Sequence, residues 1–147
     1  MLRRDPDLPM SPEQTFETIP VETLLDRVKG FHQQGWRLVQ ICATRLPDQL
    51  ELTYSFDREN RLANLRLIIP ANAPQVPSIS SIFSCAFLYE NELHDLFNLH
   101  ISGLTIDFEG HFYKTAVKFP FGGTKPPASR SAAPATSVAV QPTSAKT

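Results

Sequence analysis

Between Leu50 and Ile69 the chain alternates apolar and polar residues twice, with one short polar turn between the runs. Leu50, Leu52, Tyr54 and Phe56 are separated by Glu51, Thr53 and Ser55; Ala63, Leu65, Leu67 and Ile69 then alternate with Asn64 and Arg66. A period of two sends successive side chains to opposite faces, so each run predicts a strand with one buried face. The link between them is too short for a crossover, which makes the pair antiparallel. Upstream, Trp36 to Ala43 is apolar in both phases and predicts a strand covered on both faces, hence a central one. Leu46-Pro47-Asp48-Gln49 supplies the turn after it. Together the three strands form an antiparallel meander.

Two helical patterns flank this meander. Pro20 suits a first helical turn, and Val21, Leu24, Leu25, Val28 and Phe31 recur at helical spacing until Gly35. Beyond a rigid link carrying Pro70, Pro74 and Pro77, the residues Ile82, Ala86, Tyr89, Leu93 and Leu96 mark a second amphipathic helix. Gly103 closes the following turn. Leu104, Ile106 and Phe108, then Phe112 to Phe119 beyond Glu109-Gly110, predict a final hairpin. The order α-β-β-β-α-β-β predicts an α+β fold, a mainly antiparallel sheet with two helices on one face. The opposite face, with Glu51, Thr53, Ser55, Asn64 and Arg66, meets water or a partner.

The ends differ from this domain of residues 18–122. Residues 1–17 are polar and proline-rich and are expected as an extended arm. Residues 123–147 carry Pro126, Pro127, Pro134 and Pro142 among Ala, Ser and Thr, without an aromatic residue. Such a tail buries too little apolar surface to offset its ordering entropy and is expected to be disordered. With 147 residues there is room for one domain. A net charge of -1, from 14 basic and 15 acidic side chains, gives no reason to expect nucleic acid as a partner. No apolar stretch reaches the roughly 20 residues of a membrane span, so membrane association is expected only through a partner. Arg3 and Arg4 are followed by Asp5, Asp7 and prolines instead of an apolar stretch, which points to the cytoplasm. The two cysteines, Cys42 and Cys85, lie among apolar residues and are expected as buried free thiols of a reducing compartment. Two cannot ligate an iron–sulfur cluster, which usually takes four.

Polar side chains concentrate near residue 90: Glu90, Asn91, Glu92, His94 and Asp95, with His100 and His111 downstream. Glu90 and His94 share a helical face, as metal ligands would, but lack the HExxH pattern; adjacent His94 and Asp95 diverge by about 100°. The alternative is an i,i+4 pair on a surface that meets solvent or a partner. Glu90 and Glu92, two apart, cannot converge on one substrate bond. Cys85 sits within Phe83-Ser84-Cys85-Ala86-Phe87, surroundings that raise a thiol pKa and disfavour a nucleophile. Phe121-Gly122-Gly123-Thr124-Lys125 resembles part of a phosphate loop but precedes no helix. The aromatic residues Phe83, Phe87, Tyr89 and Phe97 read as core. No catalytic, cofactor-binding or metal site is expected.

The run from Tyr89 to Gly103 resembles the signature of the 30 kDa (C) subunit of respiratory complex I and of related subunits in membrane-bound NiFe hydrogenases. In that family a helix carrying E-R-E-x-x-D-x-F-G-(I/V) leads into a turn ending in Gly. Glu90, Glu92, Asp95, Phe97, Leu99 and Gly103 stand at the matching positions, while Asn91 and Asn98 replace the arginine and the first glycine. Asparagine tolerates the left-handed region, so Asn98 can still end the helix. The chain lacks the His-Pro and Arg-Arg-rich continuation of the complex I form. Its own continuation, Asp107 to Phe121, taken with His94-Asp95-Leu96-Phe97, is more similar to the small subunit of Ech-type energy-converting hydrogenases. The resemblance implies a hydrophilic, non-catalytic subunit without cofactors, docked on the NiFe-hydrogenase-like large subunit and the small iron–sulfur subunit. Its place would be the cytoplasmic side of the inner membrane. Glu90, Glu92, His94, Asp95, Phe97 and Gly103 would form the partner interface, with the carboxylates offered to arginines or lysines. A free-standing α+β binding or regulatory module and a small metal-dependent enzyme are the competing classes.

Overall fold

In chain order the elements are β1 (Glu13–Thr18), α1 (Leu24–Gln33), β2 (Arg37–Arg45), β3 (Gln49–Arg58), β4 (Arg61–Pro70), β5 (Gln75–Pro77), α2 (Ala86–Phe97) and β6 (His100–Ser102). The structure, a computed structural model, describes residues 13–123. The tail expected over 123–147, Gly123 aside, and the arm up to residue 12 lie outside the described residues.

The two alternating runs are β3 and β4. They pair antiparallel, with Leu50 opposite Ile69, Leu52 opposite Leu67, Tyr54 opposite Leu65 and Phe56 opposite Ala63. All eight side chains are buried. Directly opposite residues project to the same face, so two alternations in phase make one continuous apolar surface. Their two-residue turn places Glu59 and Asn60 at φ 51° and 63°, the primed-turn backbone whose twist matches that of the strands.

Two strands depart from expectation. The sheet order is β1-β4-β3-β2, so β2 is an edge strand and not a central one. The reason is a bulge: Leu38 pairs with Phe56 and Gln40 with Ser55, leaving Val39 as an extra residue. The double apolar phase of Trp36 to Ala43 reflects that inserted residue, and Val39 is exposed. Its carbonyl accepts the Tyr89 hydroxyl at 2.9 Å, which leans α2 on this edge. At the other edge Glu13–Thr18, expected as an arm up to residue 17, lies parallel to β4. Asn64 fastens it by donating to the Thr15 carbonyl at 2.9 Å while accepting the Ser55 hydroxyl at 2.7 Å.

Phe56 shows that both helices cover the same face. Phe31 of α1 stacks on it with ring centroids 4.7 Å apart, and Phe83, just before α2, lies 5.5 Å from it. Leu24 and Val28 of α1 and Ala86 and Leu93 of α2 complete the core. The architecture is α+β, with a mainly antiparallel sheet and two helices, as the periodicities predict. On the opposite face Arg66 Nε lies 3.2 Å from a Glu51 carboxylate oxygen, off-line for a hydrogen bond, so the contact is an ion pair. The Arg66 guanidinium also covers the Phe16 ring at 5.2 Å.

The expected final hairpin does not form. After β6, which pairs parallel with β5, residues 103–123 contain no strand. Their backbone donors find other acceptors: Thr105 N–H goes to Ser80 Oγ at 3.1 Å, Phe108 N–H to Asn91 at 2.9 Å, Tyr113 N–H to Asp95 at 2.7 Å and Phe121 N–H to the Leu96 carbonyl at 2.8 Å. A ladder is replaced by side chains and the free carbonyl of a helix end. The cysteines are free, but neither is buried: Cys42 is half-buried and Cys85 exposed. Cys85 immediately precedes the first turn of α2.

Candidate functional site

Amphipathic spacing leads one to expect the polar residues of α2 in solvent. Three of them are inside: Glu90, Asn91 and Asp95. Glu90 is 1% exposed, and its carboxylate accepts the Ser78 hydroxyl at 2.6 Å and the Ile79 N–H at 2.7 Å. Because Ser78 spends its proton on Glu90, Ser80 donates to Ser78 Oγ at 2.7 Å and accepts the Thr105 N–H at 3.1 Å. This chain of bonds joins α2 to the link before it and the segment after it. Burial raises the Glu90 pKa, and the bonds from Ser78 and Ile79 partly offset that. The buried Tyr54 phenol is raised too, by desolvation and then by the nearby Glu90 charge.

The rest of the helix holds the strandless segment. Asn91 donates from Nδ2 to the carbonyls of Phe87 at 2.7 Å and Ile106 at 2.9 Å, and accepts the Phe108 N–H. Asp95, 6% exposed, accepts the Tyr113 N–H on Oδ2. Its Oδ1 is buried and has no hydrogen-bond donor among the described residues. An unpaired buried oxygen of this kind costs about 1–3 kcal/mol. Half-buried Glu92 accepts the Tyr113 hydroxyl at 3.0 Å, and this bond, followed by the Glu92 charge, raises the Tyr113 pKa. His94 Nδ1 lies 3.0 Å from the Leu99 carbonyl, which fixes the proton on that nitrogen, and its ring meets Phe119 edge-on. Phe97 packs on Phe121 with centroids 5.4 Å apart.

Held in this way, the segment turns apolar groups outward. Ile106, Phe108, Tyr113, Val117 and Phe121 are all exposed, Phe121 at 54%. Inside the segment a cleft of about 150 Å³ opens against α2, lined by His94, Asp95, Glu109, His111, Tyr113 and Lys118 among others.

The structure thus separates the residues that the signature groups together. Glu90 lies in the interior and is not a surface carboxylate. Glu92, His94 and Phe97 are half-buried beneath the segment, Asp95 lines the cleft, and Gly103 (φ 79°) makes the exposed turn that starts it. Glu90 and His94 do not converge, since one faces Ser78 and the other the Leu99 carbonyl. Among the described residues no group of three or more His, Cys, Asp or Glu is placed to hold a metal ion. Sequence reading missed Asn91, Phe108 and Tyr113 as partners. The available signal was Asn91 itself, a short amide where the family carries arginine, suited to bonding nearby backbone.

Comparison with known proteins agrees with this architecture. Residues 18–116 match the family described as respiratory-chain NADH dehydrogenase, 30 Kd subunit. No curated protein matches the chain. The fold is similar to a chain in the structure of the membrane-bound sulfane sulfur reductase, an archaeal respiratory membrane complex. The TM-score is 0.61 at 20% identity over 74% of this chain, which spans 64% of the length of that one. It is also similar to a trypsin-resistant fragment of Nqo5, with a TM-score of 0.56 at 18% identity over 63% of this chain and 82% of that one. The family match takes in both helices and the whole meander, well over half of the sequence, and on that ground the chain belongs to the 30 kDa subunit family of the respiratory-chain NADH dehydrogenase.

Proposed function

We propose that the chain is a non-catalytic hydrophilic subunit of a membrane-bound NiFe energy-converting hydrogenase or complex I-like oxidoreductase, where it docks the large subunit and the small iron–sulfur subunit. One observation carries this reading: interior polar groups of α2 hold residues 103–123 in a fixed shape that displays five large apolar side chains. Ordering the strandless residues 103–123 in order to expose Phe108 and Phe121 is costly for a free-standing domain, whereas apolar patches rimmed by polar groups mark protein interfaces. Glu92, His94, Phe97 and Gly103 support that surface from beneath and at its start. A chain of similar fold sits in an archaeal respiratory membrane complex, which favours the same setting. None of the helices among the described residues is long and apolar enough to cross a membrane. In this reading the chain lies on the cytoplasmic side and meets the membrane through its partner subunits.

Affinity purification of the tagged full chain from detergent-solubilised membranes of its native host tests this. The expected result is recovery of a large and a small iron–sulfur subunit, with loss of both from a Phe108→Ser, Phe121→Ser double variant that still melts as the wild type does. Recovery of the wild-type chain alone, as a monomer, would overturn the reading.

A further inference from the structure

We propose that the cleft between α2 and residues 109–119 is a socket for an arginine side chain of the neighbouring subunit, with Asp95 as its counter-charge; this deepens, and rests on, the docking reading above. Asp95 is more than nine-tenths buried, yet only one of its two oxygens is satisfied within the described residues. Oδ2 takes the Tyr113 N–H and Oδ1 takes nothing, and the residue lines a cleft of about 150 Å³, several times the room a single water needs. The carboxylate is held by one backbone bond, and its second oxygen lies covered and unpaired next to Gly110 at the cleft wall, so a donor entering the cleft would satisfy it only after a small shift of that wall.

The lining selects the donor. His94 donates its Nδ1–H to the Leu99 carbonyl, so its other ring nitrogen, Nε2, is an acceptor in the neutral ring and lies beside Gly110. Glu109 adds a second carboxylate, and Tyr113 and Phe119 add aromatic residues to the wall. Acceptors in several directions, together with aromatic walls, match a planar guanidinium, which brings five donors and stacks on rings. A compact ammonium would satisfy fewer of them. Lys118 also lines the cleft, but its side chain is exposed and forms no ion pair among the described residues. At the cleft, exposed Tyr113 provides apolar cover that helps keep water from a buried interfacial charge.

The experiment uses the full chain in its native membranes. Asp95→Asn keeps the shape and an acceptor for the Tyr113 N–H but removes the charge; Lys118→Met removes the lysine that lines the cleft. Expected are at least a tenfold loss of co-purified neighbouring subunit for Asp95→Asn and wild-type recovery for Lys118→Met, while the isolated Asp95→Asn chain melts at or above the wild type. Phenylglyoxal labelling read by mass spectrometry should find one arginine of the neighbouring subunit protected in the wild-type complex and labelled with Asp95→Asn. Wild-type recovery with Asp95→Asn sinks the socket and leaves docking standing; a wild-type chain that recovers no subunit sinks both. Equal destabilisation of the isolated chain by Asp95→Asn and Lys118→Met would make Lys118 the internal partner and overturn the proposal. So would a stoichiometric metal held by the wild type and lost with Asp95→Asn.

Discussion

Asn91 in the middle of α2 accepts the backbone N–H of Phe108 at 2.9 Å, seventeen residues further on, and so joins a helix to a segment with no ladder of its own. The same side chain donates to the Ile106 carbonyl. Asn91→Ala strands both groups, and the cost should be about 1–3 kcal/mol. Hydrogen exchange is the discriminating measurement: protection of the Phe108 amide should fall first, with cleavage between residues 104 and 123 before global unfolding. An unchanged Phe108 amide would show that the segment is held by other means.

Glu90 makes stability depend on pH in an unusual direction. Its carboxyl is raised above the free value of 4.5, by burial first, so the folded chain binds this proton more tightly than the unfolded chain does. The stability that follows is full below 4.5 and is lost as pH rises through the higher folded value. Glu90→Gln does not titrate. Melting curves taken from about pH 4 to about pH 7 should show the variant gaining on the wild type as pH rises. A constant gap would mean that the hydrogen bonds from Ser78 and Ile79 cancel desolvation, and one that moves the other way that they outweigh it.

Asn98 ends α2 at φ 58° and ψ 35°, the left-handed region. An L residue with a Cβ and no helpful polar group is strained there by about 1–2 kcal/mol. Asn98→Ala should therefore lower stability by roughly 1 kcal/mol, and Asn98→Gly should be neutral or better. Chemical denaturation of the two variants separates backbone strain from any side-chain role. Equal losses for both would assign Asn98 a contact that the backbone argument lacks.

Phe56 is wedged between Phe31 of α1 and Phe83 before α2. Phe56→Ala should cost about 3–5 kcal/mol, because the cavity opens where both helices meet the sheet. Phe121→Ala removes a ring that is 54% exposed and should cost far less in the isolated chain. Similar losses at the two positions would show that residues 103–123 belong to the core.

Much of this fold was legible because its elements carry their own periodicities. The alternations at Leu50 to Phe56 and Ala63 to Ile69 give strands, and buried face follows from phase alone. Ile82, Ala86, Tyr89, Leu93 and Leu96 give a helix by spacing, and the residues from Glu90 to Gly103 carry the family. Leu104, Ile106 and Phe108 alternate equally well, yet form no strand, since a strand needs a neighbour to take its donors and here Ser80, Asn91 and Asp95 take them instead. The bulge at Val39 was similarly hidden, because an inserted residue looks like burial on two faces.

Order along the chain therefore determined the elements, the sheet's buried face and the family to which this protein belongs. Contacts between residues far apart in sequence decided that Glu90 is internal, that Asn91 and Asp95 fasten a loop, and that Phe108 and Phe121 point outward. The difference is physical: periodicity is a property of neighbours within one element. Whether a carboxylate is buried, by contrast, depends on which backbone donors the rest of the fold brings to it.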